Sequence, residues 1–343
     1  MQLEYTITGT ALMGDLFEPR PVTIVVEKGI ITRVEDESDA PNRWICPAFF
    51  NGHTHLADTV AMDLPCTGSL EELVTPPNGL KHRILAESSS EHLISGMRAS
   101  ITTMIASGTS GFADFREGGI EGVMQLKIAA AGLPCRPVIL GRGGGEKAGD
   151  GAGISSTRDV PLYESIAREM RHDNRLVAFH AGERDGTDID AALSCEPDLL
   201  VHCTHADHRQ LRSIADAGIP VVICARSNFL LNVAGSAAHP PVREMVDLGI
   251  DLLLGTDNVM FVQPDIFREM AFLQTIYQVP SLEILRAATR GLSKDGCLNE
   301  IMPGKPANFF VVDKCASNLS FSHDIVSSLV KRAESHDICA RIF

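Results

Sequence analysis

Strand-length apolar runs alternate with helix-length segments through the middle of this 343-residue chain, and both ends are rich in short strands. Together these features predict an α/β fold: a (β/α)8 (TIM) barrel with a small β-sandwich domain built from both termini. The opening strands come from the first 43 residues. Leu3 to Thr8 alternates apolar and polar residues, Pro21 to Glu27 carries Val-Thr-Ile-Val-Val, and Ile30 to Val34 follows a Lys-Gly turn. At the far end Asn308 to Asp313 reads as a strand, and Asp337 to Phe343 as another. The expected division is a composite β-domain of residues 1–43 and 305–343 around a barrel of residues 44–304.

Seven barrel strands follow in order: Trp44–Phe50, Gly111–Phe115, Arg136–Leu140, Leu176–Phe179, Leu199–Val201, Pro220–Cys224 and Asp251–Leu254. Helical patterns at Ile120–Ala131, Leu162–Arg171, His208–Ala217, Val242–Leu248 and Pro264–Tyr277 alternate with them, which implies a parallel sheet. An eighth strand is expected in the weakly patterned segment Gly149–Ser156. Two insertions break the rhythm. Ala57 to Ile84 is rich in Pro, Thr and Gly, and Gly141 to Gly153 holds seven glycines. Long loops after barrel strands lie over the active face, so both are candidate lids. The second lacks the Gly-Lys-Ser/Thr ending of a phosphate-binding loop.

Composition narrows the function. A formal charge of −14 argues against nucleic acid or anionic membrane as the main partner, because phosphate binding needs a basic surface. Nine cysteines, an odd number without a CxxC pair, fit a reducing compartment. The start lacks the basic-then-apolar pattern of a secretory signal, and no apolar run approaches the roughly 20 residues that span a bilayer. The expectation is a soluble cytoplasmic protein acting on a small molecule.

The chemistry sits at strand ends. In Phe49-Phe-Asn-Gly-His53-Thr-His55 the two histidines are two residues apart on a strand, so both imidazoles face one point. Imidazole suits zinc, iron and similar divalent metals. Leu176-Val-Ala-Phe-His180-Ala-Gly-Glu183 ends another apolar strand with a histidine and then a carboxylate, a ligand and a proton shuttle in one segment. Asp198-Leu-Leu-Val-His202-Cys-Thr-His205 adds a third histidine site. Asp251-Leu-Leu-Leu-Gly-Thr-Asp257 closes a fully apolar strand with a carboxylate whose burial is costly without a cation beside it. Any one of these is a weak signal; their joint placement at successive strand ends is a strong one.

These motifs, with Gly108-Thr-Ser-Gly-Phe-Ala-Asp114, Arg226-Ser-Asn228 and Gly304-Lys-Pro-Ala-Asn308, resemble the amidohydrolase superfamily. The nearer likeness is to its cytosine deaminase and chlorohydrolase-like branch, which includes nucleoside deaminases. The resemblance covers nearly the whole chain. It implies that His53, His55, His180 and Asp257 bind one divalent metal ion, zinc in the first place and iron in the second. Glu183 is then the proton shuttle, His202 orients the attacking hydroxide and supports the tetrahedral intermediate, with His205 as its alternate, and Asp257 takes the water's proton. Two-metal members carry a bridging lysine or glutamate late in the third or fourth strand; Arg136 to Arg142 offers neither, and Glu146 and Lys147 lie in the glycine-rich loop.

The implied activity is hydrolytic deamination of an amino-substituted purine, pyrimidine, pteridine or nucleoside. Hydrolysis of a cyclic amide or another non-peptide C–N bond is the alternative, and a non-catalytic scaffold the remote one. Candidate substrate contacts are Asn228, Arg116, Arg184 and Phe115, with Arg142, Asn258 and Met260 nearby in the same loops. The family's habit implies a homodimer.

Overall fold

The computed structural model describes residues 4–64, 68–75, 78–292 and 299–343. Leu3, and Cys66 and Cys297 of the nine cysteines, lie outside the described residues. The strands are β1 (Glu4–Met13), β2 (Glu18–Glu27), β3 (Ile30–Asp36), β4 (Arg43–Pro47), β5 (Phe49–His55), β6 (Thr109–Arg116), β7 (Arg136–Gly141), β8 (Gly151–Ile154), β9 (Leu176–Ala181), β10 (Leu199–His202), β11 (Val221–Ile223), β12 (Leu252–Leu254), β13 (Asp257–Asn258), β14 (Phe309–Asp313) and β15 (Ile338–Ile342).

Both chain ends meet in one six-stranded sheet of order β15-β14-β4-β1-β2-β3. β1, β2 and β3 form an antiparallel meander, while β4 runs parallel to β1 and antiparallel to β14. The period of two along these strands sorts their residues onto two faces. Val22, Ile24, Ile45, Phe309 and Val311 bury a core of the sheet's own. Leu12, Trp44, Cys46, Phe310 and Val312 pack against the larger body. The expected single strand Trp44–Phe50 is thus two strands in two sheets. The chain crosses at Ala48, whose N–H donates to Asn308 O at 3.1 Å. Burial on both sides of the crossing keeps the sequence apolar throughout and hides the junction.

The second sheet has nine strands, all neighbours parallel, in the order β12-β11-β10-β9-β8-β7-β6-β5-β13. It curls until its two edges are successive pieces of one segment. Between them, Gly255 N–H donates to Ile223 O of β11 (3.0 Å) and Thr256 N–H to His53 O of β5 (3.1 Å). Phe50, Phe115, Leu140, Val201, Val222 and Leu253 fill a common core within the curl. Helices pack around it, among them Ser90–Ala106, which buries Leu93, Met97, Ile101 and Met104 at helical spacing. No helix among the described residues is long and apolar enough to cross a membrane.

The eighth strand lies where the weak pattern placed it, as β8 between β7 and β9. Its glycines are steric necessities. A Cβ on Gly151 would stand 2.0 Å from Leu176 O, and one on Gly153 2.6 Å from the Phe115 ring. Gly145 and Gly149 press on the Gly119 and Ile139 carbonyls in the same way. The glycine-rich run is therefore packed wall and strand, which corrects its reading as a lid; only Gly143 and Gly144 face open space within it at positive φ.

Candidate metal centre

The curl brings the C-terminal ends of β5, β9 and β10 and the start of β13 to one small cleft. His53 and His55 project from β5 to the same side because Thr54 between them points away, its hydroxyl donating to Ala113 O (2.9 Å) and Asp114 Oδ2 (3.0 Å). His180 ends β9, and Asp257 opens β13 with a φ of +60°, a strained conformation for aspartate. His202 (φ +75°) and Cys203 (φ +47°) share this left-handed region at the end of β10. Three strained residues at one rim are held there by the packed sheet beneath.

Four donor atoms converge. His53 Nε2 is 3.1 Å from His180 Nε2 and 3.2 Å from Asp257 Oδ1, and His55 Nε2 is 3.5 Å from that same oxygen. Ligands about 2.0–2.1 Å from one ion lie about 3–4 Å from one another, and these four atoms all lie within 4.8 Å of one another, so they could hold one ion between them. Protonation points the same way. Burial pushes His53 down to about 4 and His55 to about 3, and holds His180 well below its usual value. All three are then neutral and able to ligate. Burial alone would raise the Asp257 carboxyl, but the hydrogen bond with His53 and the neighbouring imidazoles hold it well below the usual range. Its other oxygen accepts from Ser227 Oγ at 2.6 Å.

The outer contacts set the ring orientations. Glu117 Oε1 stands 3.0 Å from His55 Nδ1. His180 Nδ1 lies 3.1 Å from the Arg142 guanidinium and 3.4 Å from Ile154 O. A metal on Nε2 selects the carbonyl contact, because ligation leaves the proton on Nδ1. Phe115, fully buried, sets its ring edge-on against His53 (4.5 Å) and His180 (4.7 Å).

Beside the four donors, Glu183 Oε1 stands 3.8 Å from His202 Nε2, and these two with Asp257 form a second convergent group. Burial raises the Glu183 carboxyl, with His202 opposing and Asp257 adding to the shift. Asn228 Oδ1 lies 3.1 Å from His202 Nδ1, and its amide donates to Thr204 Oγ1 (3.0 Å). That leaves His202 Nε2 buried without a hydrogen-bond partner among the described residues.

Of the substrate contacts expected from the sequence, Arg184 lines the cleft, tied to Asp159 (3.2 Å) and Thr75 (3.0 Å). Asn258 lines it too. Asn228 and Phe115 lie behind the site, engaged with His202 and the ligand rings. Arg116 is buried against Glu117 (2.9 Å) and Asp114 (3.5 Å). Met260 is buried, and His205 packs on His239 instead of facing the cleft.

Sequence reasoning passed over a buried ion cluster next to His55. Lys81 bridges Asp58 (2.9 Å) and Glu117 (3.1 Å), and Arg142 reaches Glu117 at 3.1 Å. Lys81, His55 and Arg142 hold the Glu117 carboxyl well below its usual range against the burial that would raise it. Glu117 immediately follows β6, so the strand-end logic that found Asp257 would have found it as well. Lys81 carries no such signal. The insertion that bears it does flank the cleft, through Val74, Thr75 and Lys81.

Comparison with known proteins places the chain. A family described as adenosine deaminase matches residues 147–297, and one described as amidohydrolase matches residues 44–152. A protein of Methanothermobacter thermautotrophicus, provisionally named an aminohydrolase, is 34% identical over 96% of this chain and 95% of its own length. The chain belongs to the amidohydrolase superfamily. Another superfamily relative, a 5-methylthioadenosine/S-adenosylhomocysteine deaminase of Haloquadratum walsbyi, is 26% identical over 88% of this chain and 78% of its own. Among solved structures, a zinc-bound adenosine deaminase from Xanthomonas campestris superposes with a TM-score of 0.77 at 17% identity, covering 97% of this chain and 90% of that one. The E. coli guanine deaminase gives 0.79 at 14% identity, covering 98% and 96%. The fold is the superfamily's, the chain is a hydrolase of C–N bonds, and its four convergent donors could hold a metal ion.

Proposed function

We propose that this amidohydrolase is a hydrolytic deaminase of an amino-substituted heterocycle, with His53, His55, His180 and Asp257 holding one zinc or iron ion. The observation that carries the reading is the convergence of four donors beside a raised carboxyl and an open imidazole nitrogen. When bound, a divalent cation acidifies water and so supplies a nucleophile near neutral pH. Asp257 accepts the water's proton on the oxygen that faces the donors, while Ser227 anchors the other. Glu183, kept protonated more readily by burial, gives its proton to the ring nitrogen beside the attacked carbon; the departing amine takes the proton that Asp257 received from water, and the hydroxyl proton left on the adduct restores Glu183. Asn228 Oδ1 accepts from His202 Nδ1–H, so His202 Nε2 is left to accept the O–H of the attacking hydroxyl and hold the new oxygen in place. Arg184 and Asn258 are the side chains placed to meet substrate, whereas Asn228, Arg116 and Phe115 position others. The deaminase names of its relatives favour an aminopurine or its nucleoside over the other rings.

The stitched edges of the curled sheet support a closed eight-stranded barrel in which β12 and β13 make one strand. The terminal sheet, with its own core, supports a separate small β-domain of residues 1–43 and 305–343, with β4 extending it and the sandwich as its form. A homodimer in the cytoplasm remains the family-based expectation. The test is ammonia release by zinc- or iron-loaded protein from amino-purines, amino-pyrimidines, amino-pteridines and their nucleosides, with a metal-stripped control. Metal-dependent ammonia from one ring class is the expected result. Silence across the panel from a protein with one metal per chain would move the reading to cyclic amides.

A further inference from the structure

Next to the cleft lies a larger chamber of about 620 Å³. One side is apolar, from Ala152, Ile154, Val160, Pro161 and Ile166. The other is backbone, where Gly143 and Gly144 bring no side chain into the space. The two compartments meet along a border of Arg142, Ser155 and Asp159, which line both. The charges on that border are already answered within the protein. Arg142 donates to Glu117 (3.1 Å) and Gly153 O (2.8 Å), and Asp159 accepts from Arg184 (3.2 Å). His82, also in the wall, sits 3.1 Å from Val74 O. Glu117 lines the space too, paired with Arg142 and Lys81, and Glu146 adds a further carboxylate, which disfavours an anion.

A space of this size, largely apolar and opening beside the reacting groups, is built to take the part of a substrate that does not react. We propose that it binds an uncharged apolar substituent, alkyl or aryl, carried by the aminated ring. The proposal rests on the deaminase reading of the cleft. Such a site makes the enzyme prefer an extended substrate over the bare ring by roughly 10–100-fold in kcat/KM, the discrimination a few buried methylenes provide.

Two measurements on metal-loaded protein test this. In the first, the neutral fluorophore N-phenyl-1-naphthylamine is titrated into wild type, Val160→Trp and Pro161→Trp, the last changing an exposed residue of the same wall. Saturable binding in wild type, weakened about tenfold or more in either well-folded variant, is expected. No saturable binding, or equal binding in all three, overturns the proposal. In the second, ammonia release is compared between a bare aminated ring and the same ring bearing an alkyl group. Wild type should prefer the extended substrate, and the variants should lose that preference while keeping the bare-ring rate. Equal kcat/KM for both in wild type sinks the proposal and leaves the deaminase reading standing. No ammonia from any ring takes down both.

Discussion

Two groups of buried ionisable side chains meet at His55, and they are balanced in opposite ways. On one side Asp58, Asp114 and Glu117 face Lys81, Arg116 and Arg142, three carboxylates against three cations, each in contact with an opposite charge. On the other stand neutral imidazoles and Asp257, their Nε2 atoms aimed at one another. Although Asp58 Oδ1 is buried without a hydrogen-bond partner among the described residues, the ion cluster is balanced charge for charge. The rim is not: nitrogens 3.1 Å apart can share one proton at most, and a cation between them removes the conflict. The difference teaches which group is scaffold and which is working site. A self-neutralised cluster holds His55 through Glu117, whereas an electron-rich rim waits for a metal.

Changes on the rim should therefore cost activity, and changes in the cluster should cost stability. The largest effect is expected for Asp257→Asn, which removes the one anionic ligand and the acceptor of the water's proton. Turnover should fall by more than about 10⁴-fold and bound metal below one per chain, read by metal analysis beside the ammonia assay. Near-normal activity would take Asp257 out of the site. Glu183→Gln should keep the metal and lose about 10²–10⁴-fold in kcat, the usual worth of a positioned proton donor. Metal lost along with activity would mean that Glu183 belongs to the ligand set instead. Across His55, Lys81→Met strands Asp58 and Glu117 without their shared ammonium. Removing one partner of a buried pair costs about 3–5 kcal/mol, to be measured by denaturant unfolding of the metal-free protein. A change within about 0.5 kcal/mol would show that the cluster is not what holds this corner of the fold.

The same contrast governs what could be read from the sequence. His53, His55, His180, His202 and Asp257 each end an apolar strand, so strand pattern and residue chemistry mark them locally. The cluster draws Asp58, Lys81, Glu117 and Arg142 from four separate segments, and each looks like an ordinary surface charge until packing buries it. Arg116 and Asn228 were legible as polar groups near strand ends, yet only tertiary contacts decide that they face Glu117 and His202. The fold shows a parallel case at β8. The Leu176 backbone presses so closely on Gly151, and the Phe115 ring on Gly153, that glycine is required there, and glycine erases the apolar pattern by which strands are recognised. The helix Ser90–Ala106 is different, since its buried face follows a helical period and was there to be found.

The smallest predicted effect separates the two groups by their protons. His53 sits at about 4 in the folded metal-free protein, against roughly 6.5 when unfolded. A histidine with a depressed folded pKa lets the unfolded chain take up the proton first. Its contribution to stability is therefore intact above pH 6.5 and is lost as pH falls toward 4. Asp58, which burial raises to about 6, shifts stability in the opposite sense over part of that range, so a single unfolding curve would mix the two. Comparing metal-free wild type with metal-free His53→Gln cancels Asp58, which is present in both. Between pH 7 and pH 4.5 the wild type should lose about 2–3 kcal/mol more than the variant. Parallel losses in the two proteins would mean that the His53 pKa is not depressed in the folded protein, so that burial is not what keeps this imidazole neutral below pH 6.5.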